Sequence, residues 1–223
     1  MGIFRPAEDY GLLGDIYIGT PCVRHSYEQR SQLETSNSSE LFTLYFSTLS
    51  ADFWVARWNC TGGCNTSTAF NDSASSTFKV VRDSTGEPIL ASAYIGDHSL
   101  DGSFVQDTVV LENDLVLLDQ SWILVDQADE DFPGLFGSAA GMVGLGLDTT
   151  DLSGATPFLR SLFGSSQVVA TELGLQLSPN YEGSQDGFLI LGGRDQSAYT
   201  GDVEFHPLIT RGDPQWRLNI SGT

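Results

Sequence analysis

The sequence predicts an all-β protein on three observations. Helical periodicity is scarce, apolar residues come in short runs closed off by Gly, Pro, Asn, Asp or Ser, and 24 glycines interrupt the 223 residues. In chain order the runs are Gly14 to Ile18, Phe42 to Phe46, Phe78 to Val81, Ile89 to Tyr94, Thr108 to Leu111, Trp122 to Val125, Glu172 to Leu177 and Phe188 to Leu191. Together they suffice for a sandwich or barrel. Between the first two, Cys22 to Glu40 is polar and rich in Ser and Glu, the composition of a surface excursion between strands. One helix is expected, Pro157 to Phe163, with Thr156 as N-cap and Pro157 in its first turn. Gly141, Gly144, Gly146, Gly192 and Gly193 are expected at turns and where backbones approach too closely for a side chain. No internal repeat or linker-like tract divides the chain.

Charge narrows the function classes. Lys plus Arg total 10 against 29 Asp plus Glu, a formal net charge of -19, with Lys79 the single lysine. Such a surface repels phosphate backbones and anionic lipid, so nucleic acid is an unsuitable partner. No apolar run approaches membrane-spanning length, so no membrane insertion is expected. With a pI near 4.1, self-repulsion relaxes in an acidic medium, which favours secretion or a vacuolar or other acidic compartment. The start, Met1 to Pro6, lacks the apolar block of a signal peptide and is read as a mature or trimmed form.

Cys60 and Cys64 are separated by Thr61-Gly62-Gly63, a short flexible loop that lets two sulfurs meet, and a disulfide is expected there. Cys22 is left over, either free and buried or paired with another chain or an absent segment. Asn37, Asn59, Asn65, Asn71 and Asn219 each begin an Asn-x-Ser/Thr sequon, and three of them fall between Asn59 and Ser73.

Read in order, the motifs are specific. Tyr17-Ile18-Gly19-Thr20-Pro21 opens the series, followed by Phe42 to Val55 with Asp52-Phe53-Trp54-Val55 at its end, and then by the Cys60 to Cys64 loop. Phe70, Ser75-Ser76-Thr77-Phe78, the segment Tyr94 to Gly102, Asp107-Thr108-Val109 and Gly141 to Leu147 come next. Thr156-Pro157-Phe158, Leu191 to Asp195, Tyr199-Thr200-Gly201 and Trp216 complete it. Any one of these strings recurs by chance, but the whole series in one order resembles the amino-terminal lobe of the pepsin-like aspartic peptidases along nearly the entire chain.

The resemblance implies an all-β, sandwich-like closed barrel with a ψ-shaped loop, spanning residues 7–198, with 199–223 resembling the first strands leading into a second lobe. In that family two carboxylates, one from each lobe, share a proton to activate water and polarise an amide. Each lies in an Asp-Thr-Gly loop. Here Ser47, Thr48 and Leu49 occupy the first such position, and the second loop is not in this chain. A hydroxyl carries no charge at working pH and cannot couple its proton as a carboxylate does, so catalysis by the family mechanism is expected to fail. Leu49 is expected to intrude on the cleft where the family's glycine lets the loop turn tightly.

The resemblance also places a binding cleft and flap at Trp54, Tyr94, Ile95, Gly96, Asp97, His98 and Ser99. A gapless match puts Ile95 at the family's flap tyrosine, leaving Tyr94 one residue early and on the opposite face, underneath or outward, unless an insertion restores it. His98 in place of a glycine is expected to stiffen the hairpin tip. Ser47 is not expected to act as a nucleophile, since His25, His98, His206 and Lys79 fall in no supporting motif. Asp52 reads as a solvated turn carboxylate, and no metal or cofactor is expected.

Three functions follow. The preferred one is a non-catalytic homologue, a pseudoenzyme that binds peptide or protein through a residual cleft or exposed strand edge. The second is an aspartic-type endopeptidase working at acidic pH only with a second lobe or partner chain. The third is a truncated structural fragment without cleft function. The apolar residues Val203, Phe205, Leu208, Trp216, Leu218 and Ile220 would favour self-association or a second-lobe chain as partner.

Overall fold

The computed structural model describes residues 2–6, 12–20, 40–64, 69–95, 97–111, 115–130, 132, 139–147, 155–176, 187–209 and 216–219. The strands are β1 (Gly2–Pro6), β2 (Leu12–Ile18), β3 (Glu40–Ser47), β4 (Trp54–Gly62), β5 (Lys79–Val80), β6 (Leu90–Ile95), β7 (His98–Leu111), β8 (Leu115–Ala128), β9 (Gly141–Gly144), β10 (Leu173–Gln176) and β11 (Gly187–Leu191). Among the described residues one α-helix, α1 (Phe158–Gly164), lies between β9 and β10.

Each expected apolar run overlaps a strand, although Phe78, Val81, Ile89 and Glu172 flank theirs and Leu177 lies outside the described residues. In β3, β4, β7, β8 and β9 apolar side chains on both alternating faces are covered, whereas β5, β6 and β10 are more exposed. Leu44, Val55, Val105, Leu124 and Val143 belong to one core, while their neighbours Tyr45, Trp54, Phe104, Ile123 and Met142 belong to a second. The first core is completed by Phe158, Leu159 and Leu162 of α1. Its centre is aromatic: Trp122 meets Phe70 edge-on at 5.0 Å and stacks with Phe53 at 6.0 Å.

The sheet closes on itself. The strand order runs β2-β3-β9-β4-β8-β7, and β7 returns to β2 through Tyr17↔Val110 and Ile18↔Val109. Closure removes the edges that an open sheet would present, so the expected barrel is formed. Beyond it β1 pairs with both β2 and β11, and β10 lies on the far side of β11. Strand β1, ahead of Ala7, is thus joined to this sheet.

Where strand β2 ends, a buried carboxylate gathers hydroxyls. Asp107, fully buried, accepts from Ser75 Oγ at 3.1 Å, Thr77 Oγ1 at 2.5 Å and Thr108 N at 2.7 Å. Thr20 joins through Thr77 at 2.7 Å, so the Gly19-Thr20 turn is bound to the 75–77 segment and to β7. The motifs at Thr20, Ser75 to Thr77 and Asp107 thus form one polar cluster around Asp107 Oδ1, while the buried Oδ2 takes no hydrogen bond from the described residues.

Three expectations are corrected. Pro157, at φ −56° and ψ 149°, is the N-cap of α1 and makes no side-chain cap bond. The carbonyl of Thr156 instead accepts from the buried Gln120 Nε2 at 3.0 Å, which holds the chain extended one residue before the helix. Gly193 has open space where a Cβ would point, unlike Gly141, Gly144, Gly146 and Gly192. The strands expected past Tyr199 are not formed among the described residues 199–209 and 216–219, where one backbone bond, Ile209 N to Arg217 O at 2.9 Å, joins the two stretches.

Candidate functional site

The ψ-loop arises because β3 and β4, consecutive in the chain, do not pair. Strand β9 lies between them, parallel to β3 and antiparallel to β4. Ser47 ends β3 opposite Gly144, and the loop from Thr48 to Phe53 must turn beside the end of β9. Leu145 N donates to Ser47 O at 2.7 Å and Gly146 N to Ser50 O at 2.8 Å, fixing both limbs of the turn. A Cβ on Gly144 would stand 2.4 Å from Ala51 C and 2.6 Å from Asp52 N, so the approach is backbone on backbone.

Within the loop, Leu49 N donates to Ser47 Oγ at 3.2 Å, closing a hydroxyl turn of the kind Ser commonly makes two residues on. Ser50 repeats the pattern, accepting from Asp52 N at 2.9 Å and donating to Asp52 Oδ2 at 2.8 Å. Asp52 is thus an exposed turn carboxylate, as expected. Thr48 is half-buried beside Ser47. The site keeps the loop that presents a residue at position 47 and puts a neutral hydroxyl there.

The Leu49 side chain is 78% exposed on this loop, with its backbone N–H held by Ser47 Oγ.

The flap is a hairpin of β6 and β7 with Tyr94↔Ser99 and Ile95↔His98 as its last pairs. Gly96 lies outside the described residues, and Asp97 is exposed at the turn. Alternation settles the tyrosine: Tyr94 is 69% exposed and outward, while Ile95 packs with Ala93 and Leu100 on the second core. Trp54, expected in the cleft, belongs to that core. It is 3% exposed, with Phe132 edge-on at 6.0 Å, because the β4 alternation turns it under the flap. His98 meets Phe132 edge-on at 6.0 Å.

Sequence reasoning missed the role of Asp129. Ser99 N donates to Asp129 Oδ2 at 2.6 Å and Ser99 Oγ to Asp129 Oδ1 at 3.0 Å. These bonds, the backbone one first, hold the Asp129 carboxyl below the usual carboxylate range against a desolvation cost, with the neighbouring His98 helping. The residue sits in Asp126-Gln127-Ala128-Asp129-Glu130, which reads as a solvated acidic run and gave no signal.

The remaining expected residues are scattered. Cys60, near the end of β4, and Cys64, two residues past it, form a disulfide. Asn59 and Asn219 are exposed, and Asn71 caps a short 3-10 turn by accepting from Ser73 N at 3.2 Å. Asn37, Asn65, Cys22, His25 and Ile220 lie outside the described residues. Lys79 pairs with Asp119 at 2.7 Å and His206 lies 3.4 Å from Glu204, both remote in sequence and partners from Ser47. Among the described residues no three His, Cys, Asp or Glu side chains gather as a metal site.

Comparison with known proteins gives the same assignment as the motifs. Residues 31–223 match the family model described as eukaryotic aspartyl protease. The chain is similar to gastricsin of Oryctolagus cuniculus, 30% identical over 213 residues that cover 95% of this chain and 48% of that protein. Embryonic pepsinogen of Gallus gallus is 29% identical over 80% of this chain and 44% of its own length. Pregnancy-associated glycoprotein 1 of Sus scrofa is 27% identical over 95% of this chain and 47% of its own. The chain thus spans about half the length of the curated relatives it matches. With a closed barrel, a ψ-loop and the ordered motifs in agreement, the chain belongs to the eukaryotic aspartyl protease family.

Proposed function

We propose that this chain is a non-catalytic member of the family, which binds extended peptide or protein along the flap side of the lobe without cutting it. The observation that carries the reading is Ser47, whose hydroxyl accepts Leu49 N–H at 3.2 Å where the family mechanism needs an ionisable carboxyl. Without that carboxyl there is no shared-proton pair to activate water. The test is incubation of the purified chain with unfolded casein from pH 3 to 5, with and without a pepstatin-type inhibitor, followed by pull-down of a casein peptide digest. Retained peptides without cleavage support the reading, and inhibitor-sensitive cleavage overturns it.

A second reading, peptidase activity with a second-lobe chain, is favoured by the half-length match and by the exposure of Phe205 and Leu218, 74% and 49%. On either reading a partner chain or self-association covers these side chains, and a monodisperse monomer by light scattering would count against it. A fragment without cleft function would bind no peptide in the same pull-down.

Secretion or an acidic compartment is part of the proposal, supported by the charge of -19 and the five sequons. One relative is named a glycoprotein. Among the described residues no helix is long and apolar enough to cross a membrane. Mass analysis of sequon peptides after glycosidase treatment tests the modification, with Asn59 and Asn219 the exposed acceptors among the described residues.

A further inference from the structure

We propose that Asp129 is the positioning residue of the flap: its grip on Ser99 sets how the β6–β7 hairpin lies over Trp54 and Phe132, and acid releases it. Pairing between β7 and β8 ends at Leu100↔Ala128. One further rung follows, in which Asp129 N donates to Ser99 O at 3.2 Å while each carboxylate oxygen of Asp129 takes one Ser99 donor, N at 2.6 Å and Oγ at 3.0 Å. Past Ser99 the described residues of β7 pair only with β6. The hairpin tip therefore pivots about this rung, and the side chains it carries inward, Ile95 and His98, are those that rest on the second core and on Phe132.

The charged groups around Asp129 leave it the one placed to hold the pivot. From β7, His98 attracts it, and Asp101 is engaged with Ser92 Oγ at 2.6 Å. From β8, Asp126 is paired with Arg57 at 3.0 Å. Glu130 follows it in the chain and Asp97 stands exposed at the hairpin turn. A carboxyl whose folded value is lowered contributes its hold above the unfolded value and loses it as pH falls through the folded one. A protonated carboxyl keeps fewer acceptor sites, so one Ser99 bond weakens first. The latch consequently survives mild acid and releases only below the ordinary carboxylate value of about 3.9.

As a gate on peptide binding this rests on the reading proposed above, but the latch itself does not. The test is a proton–nitrogen NMR titration of the Ser99 amide from neutral pH to strong acid in the full chain, with exchange protection measured alongside. In the unmodified chain the Ser99 amide should move upfield with a midpoint below about 3.9. Its protection should drop about tenfold through the same range. Asp129→Asn should flatten the profile at the low level, and Ser99→Ala, which removes the Oγ bond that helps hold the carboxyl low, should raise the midpoint toward the ordinary value with smaller protection. A wild-type profile in Asp129→Asn, or a midpoint at or above the ordinary value in the unmodified chain, overturns the proposal. Should Asp129→Asn not fold, the unmodified and Ser99→Ala profiles decide alone. A chain that retains no peptide but shows this titration would sink the binding reading and leave the latch standing.

Discussion

The indole N–H of Trp216 donates to the carbonyl oxygen of Leu145 at 2.8 Å, while the N–H of Leu145 donates to Ser47 O at 2.7 Å. One buried leucine therefore connects the segment after Tyr199 to the loop that presents Ser47. Trp216→Phe keeps the ring and removes the donor, leaving the Leu145 carbonyl without that partner. Stability should fall by about 1 kcal/mol in urea unfolding. Leu218→Ala, two residues on and 49% exposed, should stay within about 0.5 kcal/mol.

Gly144→Ala tests whether the ψ-loop depends on backbone contact. The new methyl would stand 2.4 Å from Ala51 C, and neither backbone can yield without opening the β3–β9–β4 arrangement. A loss of about 3 kcal/mol is expected. Chemical denaturation of the soluble fraction checks it, and a loss under half that size would mean the loop moves freely.

Ser47→Asp should not create a peptidase, because a single carboxyl has no partner to share its proton. The casein assay reads this directly. Leu49→Ala, at a side chain 78% exposed, should leave stability within about 0.5 kcal/mol, as measured by the urea midpoint.

Burial raises the Glu40 carboxyl above its usual value, opposed by a bond from the Asn71 backbone. A raised carboxyl favours the fold while protonated, and that advantage is lost as pH climbs from the unfolded value through the folded one. Glu40→Gln should therefore raise Tm at pH 7 relative to Tm at pH 4, seen by calorimetry at both. An unchanged difference would contradict the assignment.

The strands were legible because alternation and glycine punctuation act locally, as in Phe42 to Phe46 and Ile89 to Tyr94. What escaped was set by partners distant in the chain. Strand β9 is only Gly141–Gly144, and nothing in those residues says that it separates β3 from β4. Thr156 carries a good capping side chain, yet Gln120 takes its carbonyl and shifts the helix start. At the site, the loss of the carboxyl at Ser47 was readable directly. The hydroxyl turn from Leu49 N to Ser47 Oγ was not, because it depends on the backbone path of the loop. Trp54 was placed in a cleft by resemblance, whereas Phe132 and the flap cover it here.

The insertion of β9 between β3 and β4 also governs assembly of the chain. As synthesis proceeds, Glu40–Ser47 and Trp54–Gly62 emerge long before Gly141–Gly144. Until that late strand arrives, the edges of both that β9 fills stay unpaired beside apolar side chains such as Phe42, Leu44 and Val55. Folding through such non-local pairing is slow and leaves a sticky intermediate, so a nascent chain of this architecture needs a chaperone or rapid completion to escape aggregation.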